Sequence, residues 1–320
     1  MMAGARTARL YAFAKINLDL RVLHRRADNY HELRTIFQTI SLADRIQVAF
    51  TPSRKTSIQV SGNVDIPDNL VARAARACLD AMRVTGKVEF QLDKRIPMGA
   101  GLGGGSSDAA AVLLALPVLA GRTLDWHALL DLGAQLGSDV PFFLLGGTAV
   151  AVGRGTELYP LPDHPPGVGL VAAPGIHVST AEAYRALSAQ LTAESQQNKI
   201  VSFQSTVWRG IPPCAIEAES SWGQNDFETV VFRRHPALKS IKQGLLKLGA
   251  RPALMSGSGS AVFGLFPERE KLRRAIQSLG KERVFPITLV SRPKYRSEWW
   301  NRLQEHTKQN LWPPQSRYAR

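Results

Sequence analysis

The chain has 320 residues, 44% of them apolar and 21% charged, which is ordinary for a globular protein and long enough to predict two domains. Its two cysteines, Cys78 and Cys214, exclude a disulfide framework or a cysteine-rich metal site and favour a reducing compartment. The net charge, 40 − 26 = +14, calls for a polyanionic partner: nucleic acid, an anionic membrane surface or a small ligand.

No run reaches the roughly 18 apolar residues a membrane span needs, and "MMAGARTARL" has no apolar h-region. The expected location is cytoplasmic. From Leu10 to Val22, apolar Leu10, Ala12, Ala14, Ile16, Leu18, Leu20 and Val22 alternate with other residues. That period of two predicts a strand with one buried face, and it sets Lys15 and Asn17 side by side on the other. Asp44–Phe50, Thr56–Gly62 and Lys87–Lys94 also alternate and read as strands. Between the last two, Leu70, Val71, Ala74, Ala75, Cys78, Leu79 and Met82 recur at helical spacing, with Asp68 as the expected N-cap.

A glycine-rich run follows, Gly99, Gly101 and Gly103–Gly105, leading into a helix expected over Ala109–Ala120 with Ser106, Ser107 and Asp108 as its cap. A third helix is expected over Leu124–Gly137, stopped by Gly137 as a C′ glycine. Asp163–Gly169, "DHPPGVG", reads as an interdomain linker. Beyond it come a strand, "GLVAAPG", then a polar and poorly periodic stretch over Ser188–Gly223. A helical region follows from Asn225 to Gly249, then "MSGSGSAVFGLF", a glycine-serine turn running into a strand. Strands and helices without regular βαβ alternation predict an α+β fold. The last stretch, Arg292–Arg320, holds seven Lys/Arg, two Asp/Glu and three tryptophans. It reads as a solvated basic tail with a short docking helix, a nucleic-acid or partner-binding tail being the alternative.

Glycine is costly in regular structure, so a run of it before a helix needs a use. The formal Gly99-x-Gly101-x-x-Gly104 match to a dinucleotide fingerprint is weak, because the expected acidic residue at the next strand end is missing; Asp125 sits at a helix start. A Walker A loop is excluded, since no Gly-Lys-Ser/Thr follows. A flexible surface loop fits poorly with so well capped a helix. What remains is a phosphate cradle, backbone amides from Gly101 to Ser107 surrounding a polyphosphate.

"PMGAGLGGGSSDAAA" resembles the ATP-binding loop of the GHMP kinase superfamily. Most members place the serine pair directly after Gly-Leu-Gly; here Gly104 and Gly105 intervene, a variant that resembles the branch phosphorylating 4-diphosphocytidyl-2-C-methyl-D-erythritol. Ala14–Asp44 is similar to the N-terminal signature of that branch almost throughout. "DNLVARAA", "DKRIPMGAGLGGGSSDAAAVL", "LGSDVPFFLLGGTAV", "NDFE" and "SGSGSAVFG" follow in its order. The similarity covers about Ala14–Phe266, leaving out the polar stretch and the tail. Asn29 stands where the family usually has glycine; Asn tolerates a left-handed turn, so the turn is expected to survive.

The resemblance implies a two-domain GHMP-kinase-like α+β fold with its active site in the cleft between domains. Residues 1–165 would be the ATP-binding domain, 166–290 the C-terminal domain and 291–320 the basic tail. It implies an ATP-dependent kinase of the non-mevalonate isoprenoid pathway, acting on the 2-hydroxyl of that acceptor with Mg²⁺ carried on the nucleotide. Asp139 would be the general base and Lys15 the cation beside it. Asn17 would bond the acceptor's hydroxyl or a phosphate. Asn69 and Lys94 would lie near adenine or ribose, although Asn69 alone reads as part of the helix cap and Lys94 as a strand-end charge. Pro97, Met98, Gly99, Ala100, Gly101, Leu102, Gly103, Gly104, Gly105, Ser106 and Ser107 would surround the phosphates, and no acidic cage marks a metal ligand. Tyr30, His31 and Tyr184 would stack on or read cytosine, and Ser256–Gly264 would support the acceptor pocket. Two polyanionic ligands would then use part of the +14 without nucleic acid or membrane. The alternatives are a GHMP kinase with another small alcohol acceptor, which "NYHEL" and Gly104-Gly105 argue against, and a nucleic-acid-binding protein using the Trp-containing tail.

Overall fold

In the computed structural model, which describes residues 4–208, 223–279 and 283–319, the alternation around Leu10 belongs to a 20-residue strand, β1 (Arg6–Arg25). It pairs antiparallel with β2 (His31–Pro52) from Arg6↔Phe50 to Arg25↔His31. The hairpin turns at Asn29, whose φ of 66° is the left-handed conformation expected of it. Then come β3 (Ser57–Gly62), α1 (Leu70–Met82) and β4 (Gly86–Asp93), with β3 parallel to β4. Helices α2 (Gly104–Ala120), α3 (Trp126–Leu136) and α4 (Val140–Leu145) precede β5 (Thr148–Gly153) and β6 (Glu157–Pro160). The free edge of β2 is divided: Arg45–Pro52 pairs with β4 and Leu33–Gln38 with β5.

The second half supplies β7 (Val168–Ala172), α5 (Thr180–Ser188), α6 (Ala193–Trp208), α7 (Glu228–Arg234) and α8 (Pro236–Lys247). It ends with β8 (Ala253–Met255), β9 (Val262–Phe266), α9 (Arg269–Ser278), β10 (Val284–Thr288) and α10 (Arg292–Leu303). Its sheet runs β10-β7-β9-β8, antiparallel throughout. The mixed architecture is the expected α+β one.

Apolar burial falls into three bodies. One lies between the first sheet and α1, α2 and α4, another between the second sheet and α5, α7 and α8. The third is a seam joining the halves, with Ile16, Ile36 and Ile40 against Val171, Phe263 and Leu289. This seam corrects the one-faced strand. Leu10 and Ala12 pack in the first body, whereas Ala14, Ile16 and Leu18 pack in the seam, and β1 is buried on both sides from Ala12 to Leu23. The pairing register shifts between Phe13 and Lys15, and such an irregularity re-aims side chains.

Local signals misplace several ends. Asn69, not Asp68, caps α1, its Oδ1 accepting from Val71 N at 2.9 Å. Helix α2 starts within the glycines, behind Gly103 at φ 71°, so Ser106, Ser107 and Asp108 lie inside the helix rather than in its cap. Gly137 ends α3 in extended backbone, φ 171°, not as a left-handed C′ residue. Pro236 divides the expected helical region into α7 and α8. Part of the polar stretch is helix α6, within which Phe203 is buried; residues 209–222 of it, with Cys214, lie outside the described residues.

The C-terminal residues do not stand off in solvent. Tyr295, Trp299 and Leu303 of α10 are buried in the first apolar body. His306 Nε2 meets Thr7 O at 2.9 Å, and Ser316 Oγ donates to Val118 O at 2.7 Å, which ties this segment to β1 and the end of α2.

Candidate active site

A cavity of about 1020 Å³ opens between the two halves, with Lys15, Asn17, Asp139, Gly99, Gly101, Gly103 and Gly257 among its lining residues. β1 delivers Lys15 and Asn17, both 3% exposed or less. Lys15 Nζ lies 3.4 Å from Asp139 Oδ2 and donates to Asn17 Oδ1 at 2.7 Å. The Phe37 ring centroid is 5.0 Å from the same ammonium. Asn17 Nδ2 in turn donates to Thr35 Oγ1 at 2.8 Å, and that hydroxyl donates to Asp19 O at 2.6 Å, so the amide is fixed in orientation. Asp139 occupies the N-cap position of α4 but spends no side-chain bond on the helix. With 31% of its side chain exposed, its carboxylate faces the cavity. A buried cation beside an accessible carboxylate is an arrangement for moving a proton and neutralising an anion.

The glycine loop docks on the glycine-serine turn of the second half. Ala261 N donates to Ala100 O at 3.0 Å, Ser256 Oγ to Gly101 O at 2.9 Å, and Lys15 N to Leu102 O at 3.0 Å. Ala100 and Leu102 therefore turn their side chains into the seam, and only their backbone is left for a ligand. Met98 is 60% exposed at the loop's outer rim, next to half-buried Pro97 and exposed Gly99. The first amide bonded within α2 is Ser107 N, to Gly103 O at 2.9 Å. Gly104, Gly105 and Ser106 N–H thus head a 17-residue helix, where amides and macrodipole favour an anion. The two serines differ: Ser107 Oγ is spent on Phe13 O at 2.7 Å, while Ser106 is half-buried at the surface of the loop. Asn69 lies nearby, since the Leu70 side chain is 3.4 Å from where a Cβ on Gly105 would stand.

For Lys94 the correction concerns the strand-end charge: its ammonium, 5% exposed, is held between Asp44 and Asp108, 2.7 Å from the latter, beneath the start of α2. Asp44 Oδ1 also accepts from Arg95 N and Ile96 N. Burial pushes the Asp108 carboxyl well above its ordinary range, against the opposing pull of Lys94, and Asp108 Oδ1 has no hydrogen-bond partner. The group anchors β2, β4 and α2 beneath the loop. Lys94→Met would leave two carboxylates buried together, and urea unfolding is expected to show a loss of about 3–5 kcal/mol. Wild-type stability in that variant would mean that the ammonium is not an anchor.

At the other end of the cavity, the expected aromatic residues come together differently from an open sandwich. His31 and Tyr184 stack on each other, centroids 4.7 Å apart and planes 26° apart, with Phe227 edge-on to Tyr184 at 4.7 Å. His31 Nε2 is 2.5 Å from Ser188 Oγ. Burial, with Arg25 and His24 nearby, lowers the His31 pKa. Burial and then the Asp139 charge push the Tyr184 phenol upward. Tyr30 is 48% exposed, and the Arg154 guanidinium covers one face of its ring at 3.5 Å. Arg25, Arg154 and Arg185 line this end and were not anticipated; "GRG" and "AYRAL" carried no local signal that those arginines converge.

The family described as GHMP kinases N terminal domain matches residues 69–147, and GHMP kinases C terminal matches residues 214–284. A 4-diphosphocytidyl-2-C-methyl-D-erythritol kinase of Solibacter usitatus (strain Ellin6076) is 59% identical over 321 residues, 99% of each chain. The chain belongs to the 4-diphosphocytidyl-2-C-methyl-D-erythritol kinase family of GHMP kinases. The kinase of that name from Syntrophotalea carbinolica is 41% identical, over 87% of this chain and 97% of its own. A crystal structure of 4-(cytidine 5'-diphospho)-2C-methyl-D-erythritol kinase superposes with a TM-score of 0.71 at 40% identity, over 88% of this chain and 98% of that one. Homoserine kinase from Cytophaga hutchinsonii, at 18% identity and TM-score 0.65 over 88% and 95%, shares the fold. Membership makes the protein a phosphotransferase using ATP. Among the described residues no helix is long and apolar enough to cross a membrane, and no group of three or more His, Cys, Asp or Glu could hold a metal ion.

Proposed function

We propose that the protein transfers the γ-phosphoryl group of ATP to the 2-hydroxyl of 4-diphosphocytidyl-2-C-methyl-D-erythritol, in the non-mevalonate isoprenoid pathway. The observation that carries this reading is the Lys15–Asp139 pair, 3.4 Å apart in a cavity with a glycine-rich helix N-terminus on one side and His31, Tyr184 and Tyr30 on the other. Phosphoryl transfer asks mainly for positioning and charge neutralisation. Asp139 Oδ2 takes the hydroxyl proton as that oxygen bonds to the γ-phosphorus and the bond to ADP breaks. Lys15 stabilises the negative charge on the transferring oxygens, held in place by Asn17, which also orients the acceptor. Backbone amides from Gly101 to Ser106 hold the polyphosphate, with Gly99, Met98 and Pro97 at the rim and Asn69 towards the nucleoside. Tyr30, His31 and Tyr184 receive the cytosine, and Arg25, Arg154 and Arg185 give that end its positive potential for the acceptor diphosphate.

Mg²⁺, carried on the nucleotide, would neutralise phosphate charge there. Such an ion keeps several water and phosphate ligands and would take only one or two from the protein. Ser106 is the hydroxyl placed to supply one, because Ser107 is committed to Phe13 O.

The test is ADP release with ATP and Mg²⁺. Turnover is expected with 4-diphosphocytidyl-2-C-methyl-D-erythritol and not with galactose, homoserine or mevalonate. Turnover of one of those alcohols instead would replace the acceptor assignment.

A further inference from the structure

The C-terminal end of α4 is held from outside the helix. Phe143 O accepts from Tyr295 OH at 2.5 Å, Leu144 O from Trp312 Nε1 at 3.0 Å, and Gly146 O from Arg292 Nε at 3.2 Å. Phe142 O is met locally, by Gly146 N at 2.8 Å. The last four carbonyls of any helix lack intrahelical partners, and in a helix of six residues they are most of the element. So short a helix has no stability of its own and takes its position from what it packs against.

Tyr295 is 1% exposed, and its ring fills the space over Gly146, where a Cβ would stand 2.4 Å from it. Phe13, Trp312 and Trp299 surround that ring at centroid distances of 5.8, 6.0 and 6.4 Å. The other end of α4 is the site. Asp139 stands at its N-cap, the Phe143 ring lies 2.8 Å from where a Cβ on Gly103 would be, and Phe142 packs on Phe37 at 4.9 Å, beside Lys15. Helix α4, held by these contacts, therefore links the C-terminal segment to the carboxylate, the phosphate loop and the cation.

We infer that Tyr295 and Trp312 are positioning residues for phosphoryl transfer, holding the C-terminal end of α4 and so setting Asp139 against Lys15 and the glycine loop. The inference rests on Asp139 being the base. It gives the basic C-terminal segment a part in the reaction without any nucleic acid.

The experiment measures single-turnover phosphoryl transfer, and KM for ATP and acceptor, in Tyr295→Phe and Trp312→Phe, each alone and combined with Asp139→Asn. Misplacing a reacting group by about 1 Å costs about a hundredfold. Removing one donor, with the same ring retained in Tyr295→Phe and a smaller aromatic ring left in Trp312→Phe, is expected to slow transfer about five- to twentyfold, with both KM values within about twofold. In the Asp139→Asn background the same substitutions are expected to have no further effect, because residues that act through one group are not additive. An equal loss in both backgrounds, or no loss in either for both variants, overturns the inference. Wild-type transfer in Asp139→Asn alone removes the base assignment and the inference with it, whatever Tyr295→Phe does. Thermal melting of each variant separates a displaced α4 from a general loss of folded protein.

Discussion

Asp139→Asn is expected to lower kcat by about a thousandfold, roughly 4 kcal/mol of barrier, while ATP binds as tightly as to the wild type or somewhat more tightly. The sign of the binding effect follows from charge. Asp139 lies beside the glycine loop proposed to receive a polyanion, so neutralising it would remove a repulsion. Lys15 loses a carboxylate 3.4 Å away but keeps its 2.7 Å bond to Asn17 and the Phe37 face. The ammonium is then freer to pair with phosphate. Single-turnover rates together with ATP titration check both halves. Weakened ATP binding with an unchanged transfer rate would make Asp139 a binding residue and leave the reaction without its base.

Patterns within a few residues of each other were readable directly. Alternation placed Lys15 and Asn17 on one strand, Asn29 signalled its own left-handed turn, and glycines before an apolar run signalled a loop at a helix N-terminus. The order of the motifs then named the family. What escaped was set by partners far along the chain. Lys94 finds Asp44 fifty positions earlier and Asp108 fourteen later, and neither spacing suggests an ion triad. The two-sided burial of β1 depends on the second sheet closing over it, and alternation cannot report a face covered by another domain. Tyr295 and Trp312 look like residues of a charged tail until α4 offers carbonyls 152 and 168 positions away.

The loop's rigidity yields the other large expected effect, through Gly101→Ala. At φ 81°, Gly101 already sits where an L side chain costs about 1–2 kcal/mol, and its Cβ would stand 2.1 Å from Ser256 O and 3.3 Å from Gly259 O. Both neighbours are backbone, so no side chain can swing aside. Relief requires the loop to leave the glycine-serine turn, which breaks the Ser256 Oγ bond to Gly101 O and endangers that from Ala261 N to Ala100 O. Because Leu102 O also receives Lys15 N, the displacement reaches the cation. The expected outcome is a fall of at least about a hundredfold in kcat/KM for ATP and a stability loss of about 2–4 kcal/mol. Gly99→Ala is the matched control: φ is 66°, again left-handed, but nothing lies within 4 Å of its Cβ. It is expected to cost only the backbone strain, about 1–2 kcal/mol, and to leave kcat/KM within about fivefold. Equal damage from the two substitutions would show that backbone conformation alone governs the loop. Greater damage from Gly101→Ala places the control where the halves meet, since that contact fixes the phosphate amides relative to Lys15 and, through Gly103 and Phe143, to the helix carrying Asp139.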